Sequence, residues 1–204
     1  MLSAGLCAAQ PALPPVYVQI GPALSVHHEG EQYHRASPAL KGASVGGALS
    51  VGARFVPQLA VEAAVTVDGK LSDPQSDVYF TRTDYTAESR DIVIDVNLRF
   101  RPRGASRLEF TAGGGWAYTR FARRDVVFTT TFPPSTGRGA DTETSTWEPT
   151  LNGTMAVAIP LSPRVELVPA IGVRWIRRGT DTEAWYLGVG RYTVLASAAV
   201  RLRS

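Results

Sequence analysis

The sequence predicts an all-β protein, an eight-stranded antiparallel up-and-down transmembrane β-barrel formed by residues 15–204. Three observations support this fold class. Apolar and polar residues alternate over eight segments, the connections between these segments are alternately short and long, and aromatic residues gather near both ends of the apolar faces. With 204 residues and 44% hydrophobic content, the chain has the length of one domain.

The segment before the predicted barrel, residues 1–14, is interpreted as a residual signal peptide or a disordered N-terminal segment. No charged residue occurs in 1–26, and four prolines there exclude a continuous membrane helix. The single cysteine, Cys7, excludes an internal disulfide framework. Lipidation of Cys7 is an alternative, although Leu6 stands where a small residue is preferred.

The eight strands differ in the clarity of their alternation. The first, Val16–His27, fits less well, whereas Ala43–Phe55 places apolar residues on one face and small or polar residues on the other without interruption. In the fourth strand, Asp91–Arg101, Val93 is the one apolar residue on the polar face. The other predicted strands are Leu59–Val67, Asp91–Arg101, Arg107–Thr119, Leu151–Ile159, Arg164–Trp175 and Arg191–Arg203.

The connections form two classes. Three are tight and contain Pro or Gly, namely Val56–Gln58, Pro102–Ser106 and Pro160–Pro163. The alternate connections are long and polar, and they are predicted as loops at 28–42, 68–89, 122–146 and 177–190. Short periplasmic turns and long extracellular loops are typical of outer membrane barrels, so we expect a location in the bacterial outer membrane.

The aromatic residues lie on the apolar faces, toward both ends of the strands. Those beside the short turns are Phe55, Phe100 and Phe110, and those toward the long connections are Trp116, Tyr118, Trp147, Trp175 and Tyr192. Two aromatic belts are typical of a surface that crosses both membrane interfaces. The alternative is that these rings pack an internal core, as in a soluble barrel.

If the apolar faces point outward, the polar faces line the lumen. They carry charges of both signs: Arg54, Glu62, Asp95, Arg99, Glu109, Glu166, Arg174 and Arg201. An eight-stranded barrel is only wide enough for side chains to fill it, so we expect a closed interior of ion pairs. Weak conduction of small ions is the alternative. Because the net charge is only +3 and the basic residues are dispersed, nucleic acid is not expected as a partner.

Three groups of residues are candidates for a site. His27, His28 and His34 near Glu29 and Glu31 resemble a transition-metal ligand set, and Asp68, Asp73, Asp77 and Asp84 resemble a calcium set. Neither group has the spacing of a known metal motif, and a solvated polar loop is the simpler interpretation. Ser25 and His27 share one strand face, as a hydrolase dyad would, but no nucleophile elbow follows. The sequence therefore predicts no catalytic residue, no cofactor and no metal.

With these strands and turns, the chain resembles the outer membrane protein β-barrel domain family, which includes OmpA-type and OmpX-type barrels, over residues 15–204. The resemblance is architectural. Lipocalins usually carry a Gly-x-Trp motif near the first strand, and Gly21-Pro22-Ala23 does not match it. Family members typically end in an aromatic residue, whereas this chain ends in Val200–Ser204. The family supplies no catalytic or ligand residue for this chain.

The expected function is that of a non-enzymatic barrel with a plugged lumen and four long extracellular loops. Such a barrel contributes to membrane integrity or to surface contacts as a monomer among outer membrane lipids and lipopolysaccharide. Exposed loop aromatics are candidates for contact with an extracellular partner: Tyr33, Tyr79, Phe80, Phe132 and Trp185. The alternatives are a lipid A-modifying barrel enzyme and a soluble lipocalin-like barrel that binds a small apolar ligand.

Overall fold

A computed structural model describes residues 15–29, 40–78, 81–103, 107–177 and 190–204. The strands are β1 Val16–Glu29, β2 Gly42–Val56, β3 Leu59–Val67, β4 Leu71–Val78, β5 Arg82–Phe100, β6 Leu108–Thr131, β7 Pro134–Arg138, β8 Thr142–Val157, β9 Ile159–Pro160, β10 Val165–Arg177 and β11 Gly190–Arg203. Within these ranges, no helix is long and apolar enough to cross a membrane.

Eight of the strands close into a ring. Its order is β1, β2, β3, β5, β6, β8, β10 and β11, and β11 pairs again with β1. Every pairing is antiparallel, and the closing pair runs from Tyr17 opposite Arg203 to Glu29 opposite Arg191. The predicted eight-stranded antiparallel barrel is confirmed. Closure leaves no free edge in the ring, so the backbone groups of its strands pair with each other.

The three short connections lie at one end of the barrel, as the sequence predicts. Pro57 and Gln58 form the turn between β2 and β3, and the register that pairs Phe100 with Phe110 puts the β5–β6 connection at the same end. Residues 161–164, between β9 and β10, also lie there, as do the start of β1 and the end of β11. We call this the short-turn end.

Two of the predicted long loops are wrong, because they consist largely of strands. In 68–89, β4 runs alongside the first half of β5, and in 122–146, β6 continues to Thr131 and returns through β7 and β8. Both faces of these segments are partly polar, so the apolar period that marks the barrel strands is missing. Of the other two loops, 30–39 and 178–189 lie outside the described residues.

The apolar faces of the ring strands point outward. Val45 is 70% exposed and Ile94 is 46% exposed, whereas Glu109 and Arg201 on the opposite faces are 0% exposed. This arrangement is the reverse of a soluble barrel, so the alternative of an apolar core that holds a small ligand is wrong. The outward run of β11 from Tyr192 to Leu202 has about the 9–11 residues that a tilted membrane-crossing strand needs.

The aromatic residues form the two predicted belts. Phe55, Phe100 and Phe110 are exposed beside the short-turn end. At the other end Trp116, Trp147 and Tyr192 are exposed, while Tyr118 and Trp175 are half-buried. The rings of Tyr118 and Trp147 lie 5.2 Å apart between centroids. These belts mark the two levels at which the outward surface changes from apolar to polar.

Candidate functional site

The lumen beside the short-turn end is filled by a network of charged side chains, which we call the basal charge cluster. Its members come from seven of the ring strands and from the residue after β5, and all of them point inward. They are Tyr17, Arg54, Glu62, Arg99, Arg101, Glu109, Glu166, Arg201 and Arg203. Alternation along each strand places these side chains at one level of the barrel.

Glu109 is the centre of the basal charge cluster. Its Oε2 accepts hydrogen bonds from Arg201 Nη2 at 2.6 Å and from Arg99 Nη1 at 2.9 Å. Arg101 donates to its Oε1, and Arg54 Nη2 lies 3.6 Å from the same oxygen. A fully buried carboxylate is stable here because charged donors saturate both of its oxygens.

The other two carboxylates of the cluster extend this network. Arg99 Nη2 donates to Glu62 Oε2 at 2.6 Å. Arg201 Nη1 donates to Glu166 Oε2 at 3.0 Å, and Arg203 pairs with the other oxygen of Glu166. Each of the two central arginines therefore bridges two carboxylates. Such a network is held from several strands at once, so it links opposite sides of the barrel.

Tyr17 packs against the centre of the cluster. Its hydroxyl donates to Glu62 Oε2 at 3.0 Å, and its ring lies under the guanidinium of Arg201 at 4.9 Å from the centroid. Gly52 on the neighbouring strand makes room for this ring, because an added Cβ would lie 2.2 Å from Tyr17 Cζ. The small lumen residues are thus required by the large charged and aromatic ones.

Toward the long hairpins, the lumen contains a second set of polar contacts. Arg174 Nη1 lies 3.4 Å from Asp68 Oδ2, and Ser25 Oγ donates to Asp68 Oδ1 at 2.6 Å. Arg191 pairs with Asp91. Between these pairs a small apolar cluster fills the lumen, formed by Val93, Ala117 and Ile176. Val93, the exception in the sequence pattern, therefore packs inside the barrel.

A cavity of about 110 Å³ lies between the two charged levels. Its lining mixes small apolar residues with polar side chains, among them Asn97, Thr111 and Asn152. Asn97 Oδ1 and Thr111 Oγ1 are buried and have no hydrogen-bond partner among the described residues. The volume and these unpaired polar atoms suit a small cluster of water molecules.

Beyond the outer aromatic belt, β4–β8 continue as a raised sheet. The pairing of β5 with β6 extends to Arg82 opposite Thr129, and β6 and β7 meet at Thr131 opposite Pro134. The inner side of the sheet has its own core, in which Phe121 packs against the buried residues Leu40, Leu71, Tyr85, Ala87 and Val126. The tip carries Phe132, which is 96% exposed.

Ser25 and His27, the candidate hydrolase dyad, do not form one. Ser25 Oγ donates to Asp68, whereas the two ring nitrogens of His27 lie 3.1 Å from Thr193 Oγ1 and from Ser44 Oγ. All of these side chains are buried in the lumen. Sequence spacing alone missed the contact between His27 and Ser44, which lies on the neighbouring strand.

The candidate metal ligands have separate partners. Asp68 is engaged in the lumen, Asp73 accepts from Gln75, Asp77 from Tyr85, and Asp84 pairs with Arg82. Of the histidine set, His28 is exposed, while His34, Glu31 and the side chain of Glu29 lie outside the described residues, as does Cys7. In the described part of the chain, no three His, Cys, Asp or Glu residues are grouped to hold a metal ion.

The loop aromatics are the remaining candidates, for contact with an extracellular partner. Phe132 is placed at an exposed tip, as described above. Tyr33, Tyr79, Phe80 and Trp185 lie outside the described residues.

Known proteins resemble this chain in structure but not in sequence. No protein-family model matches the sequence, and no curated protein is significantly similar to it. The fold is similar to Ail, the attachment invasion locus protein of Yersinia pestis, with a TM-score of 0.51 at 10% identity, over 94% of this chain and 99% of Ail. A structure of Ail in complex with the heparin analogue sucrose octasulfate has the same score at 13% identity, over 93% and 99% of the two chains.

A major outer membrane protein from Thermus thermophilus is similar to the same extent. Its TM-score is 0.50 at 14% identity, over 92% of this chain and 99% of that protein. At such identities the likeness concerns the fold alone, and the outward apolar faces and the aromatic belts supply the independent evidence for a membrane. The chain thus has the fold of the small eight-stranded β-barrels of bacterial outer membranes, and its apolar belt is the surface that faces the lipid.

Proposed function

We propose that this chain is a non-enzymatic outer membrane barrel with a plugged lumen, which acts through membrane integrity and through contacts made by its extracellular hairpins. The observation that carries the proposal is the basal charge cluster. It fills the interior at one level with side chains from several sides of the ring. This arrangement supports a structural role for the lumen and leaves the outside of the barrel for interaction.

A plugged lumen follows from the size of the barrel and the strength of the pairing. Eight strands enclose a space that side chains can fill. A permeating ion would have to separate Arg201 or Arg99 from Glu109, which leaves buried charges without partners. Breaking a buried pair costs about 3–5 kcal/mol. We therefore expect the cavity above the cluster to be closed toward the short-turn end.

The absence of enzymatic activity is supported by the surroundings of the candidate nucleophiles. Ser25 and Ser44 are both buried in the lumen. The two ring nitrogens of His27 lie against the hydroxyls of Ser44 and Thr193. A hydrolase also needs an oxyanion site open to substrate. The lumen setting fits the lining of a barrel better than a catalytic centre for lipids.

The raised sheet is the proposed surface for extracellular contact. In an outer membrane barrel the end opposite the short turns faces outward, so β4–β8 beyond the aromatic belt project into the medium. The exposed ring of Phe132 at the tip and the ion pairs along the strands offer apolar and charged contacts together. Exposed aromatics of this kind are common at the centres of protein interfaces.

The plugged lumen is tested by single-channel recording in planar lipid bilayers. The purified barrel should give no regular conductance steps in about 1 M KCl. A variant in which Glu62, Arg99, Glu109 and Arg201 are all alanine should give steps, provided that its gel mobility still shifts on heating as a folded barrel's does. Regular steps from the unaltered protein would contradict the proposal.

The non-enzymatic assignment has a separate test. Purified barrel incubated with lipid A in detergent should release no fatty acid beyond the level of a heat-denatured sample. Release that is lost in Ser25→Ala or Ser44→Ala would show that the barrel is a lipid A hydrolase.

A further inference from the structure

The positive charge of the chain is concentrated at the short-turn end of the barrel. The short-turn end has eight arginines and three glutamates, a local net charge of +5: Arg54, Arg99, Arg101, Arg103, Arg107, Arg164, Arg201 and Arg203 with Glu62, Glu109 and Glu166. The remaining residues hold 13 Lys or Arg and 15 Asp or Glu. The excess positive charge of the chain therefore lies entirely at the short-turn end.

The acidic residues at this end cannot neutralise its rim. Glu62, Glu109 and Glu166 are buried in the lumen, and each is already engaged by two or more partners of the basal charge cluster. No Asp or Glu occurs in the turn residues 56–58, 101–107 or 158–164. The arginines of these turns therefore have no acidic side chain of the same turns beside them.

Three arginines of this rim are available to such a group. Arg103, Arg107 and Arg164 are exposed, and none of their side chains has a hydrogen bond or an ion pair within the described parts of the chain. Arg107 lies beside the end of β8, because Ala158 N donates to Arg107 O at 2.7 Å, and Arg164 lies beside the end of β11, because Arg203 N donates to Arg164 O at 2.9 Å. Arg103 and Arg107 flank the β5–β6 connection, so the three arginines lie along one arc of the barrel, from β5 to β11. We call these three residues the rim arginines.

The rim arginines lie at the level of lipid headgroups. Arg103 follows the belt residue Phe100 by three positions, and Arg107 precedes Phe110 by three. Headgroups begin immediately beyond an aromatic belt. Long arginine side chains reach them while their stems stay along the apolar surface. Guanidinium groups bind phosphate oxygens through paired, charge-assisted hydrogen bonds.

We propose that the rim arginines bind the phosphate groups of anionic phospholipids in the leaflet at the short-turn end. This inference deepens the proposed function, because it names the residues and the lipid class with which one end of the barrel contacts its membrane. At the opposite end, Lys70, Arg82, Arg120 and Arg124 are paired with carboxylates, and the exposed Lys41, Arg90 and Arg138 serve as the comparison in the test below.

The test compares lipid binding by two charge-matched variants of the full chain. The rim variant is R103Q/R107Q/R164Q, and the control is K41Q/R90Q/R138Q, which removes three exposed positive charges at the opposite end. Native mass spectrometry of the detergent-solubilised barrel measures binding of dioleoylphosphatidylglycerol and of dioleoylphosphatidylcholine. Each variant is first shown to be folded by the change of its gel mobility on heating.

The unaltered protein and the control should prefer phosphatidylglycerol over phosphatidylcholine. The rim variant should bind phosphatidylglycerol at least about tenfold more weakly, since each basic residue near a lipid surface contributes about fivefold. Equal binding of the two lipids by the unaltered protein would overturn the proposal. So would an unchanged preference in the rim variant or an equal loss in the control.

In a further experiment, inorganic phosphate is added as a competitor of the bound phosphatidylglycerol. Millimolar phosphate should not displace phosphatidylglycerol, because the glycerolipid also contacts the apolar belt. Displacement would show that the rim binds free anions and would overturn the lipid assignment. The measurement is made in detergent, so its result is independent of whether the lumen conducts. A conducting barrel that keeps the lipid preference would contradict only the proposed function.

Discussion

Glu109 shows how a single residue can be both buried and charged in this barrel. It has no exposed surface, and several arginines surround its carboxylate. In water-free surroundings a carboxylate is stable only when its charge and its lone pairs are matched. The same reasoning holds for Glu62 and Glu166. The lumen charges therefore stabilise the barrel only as a set.

The substitution Glu109→Gln should destabilise the folded barrel strongly. Arg99 and Arg201 would keep their positive charges but lose the central carboxylate, at a cost of about 3–5 kcal/mol. Urea unfolding in detergent or lipid vesicles, followed by tryptophan fluorescence, measures the loss. The control is Glu88→Gln, which removes the partially exposed pair with Lys70 and should cost about 1 kcal/mol or less. Equal losses for the two variants would contradict a buried charge network.

The substitution Gly52→Val should also destabilise the barrel. The new side chain would overlap the ring of Tyr17, whose hydroxyl bonds to Glu62. Overpacking of this kind costs about 1–3 kcal/mol. Gly47→Val is the matched control on the same strand, because its added Cβ meets nothing nearer than 3.8 Å and lies on the outward face. A larger loss from Gly47→Val in the same urea unfolding would contradict the assignment of faces.

At the scale of elements, the ring strands were predictable and their extensions were not. The strand Ala43–Phe55 is apolar on one face over its whole length, and the structure places β2 at Gly42–Val56. Beyond the membrane both faces of β6 meet water or a small local core, so the period-2 pattern fades after Thr119. The polar composition of 122–146 therefore predicts a loop where the structure has strands.

The raised sheet is held partly by exposed ion pairs between β6 and β8. Arg120 donates to Glu143, and Arg124 Nη2 donates to the other carboxylate oxygen at 2.9 Å. The hydrogen bond from Arg120, together with the charges of both arginines, lowers the pKa of Glu143 below its ordinary value. A lowered pKa in the folded state means that this contact stabilises the sheet above the unfolded pKa of about 4.3 and is lost as the pH falls through the folded value.

We therefore expect the Glu143 carboxyl to titrate below an ordinary glutamate. An NMR titration of its side-chain carbonyl carbon measures the midpoint directly. In Arg120→Gln the midpoint should move up toward the ordinary value, because the first of the two donors is lost. A midpoint at or above the ordinary value in the unaltered protein would contradict the observed pairing of β6 and β8.

At the scale of the whole molecule, the sequence allowed the closed ring, the end with the short turns and the outward apolar faces to be inferred. Those features depend on alternation along single strands, which a sequence displays. The basal charge cluster was predicted only as a set of lumen residues. Its pairing depends on the register between strands, as between Glu62 and Arg99 or between Glu109 and Arg201, and register is a property of the closed sheet.

The strand β3 has one face toward lipid and one toward the polar lumen. Spin labels at single cysteines in a Cys7→Ser background test it most directly, in the barrel reconstituted into lipid vesicles. Labels at Val61, Ala63 and Val65 should collide often with oxygen dissolved in the lipid, and labels at Ala60 and Ala64 should not. Oxygen contact greatest at Ala60 and Ala64, or no alternation among the five positions, would contradict this orientation of β3.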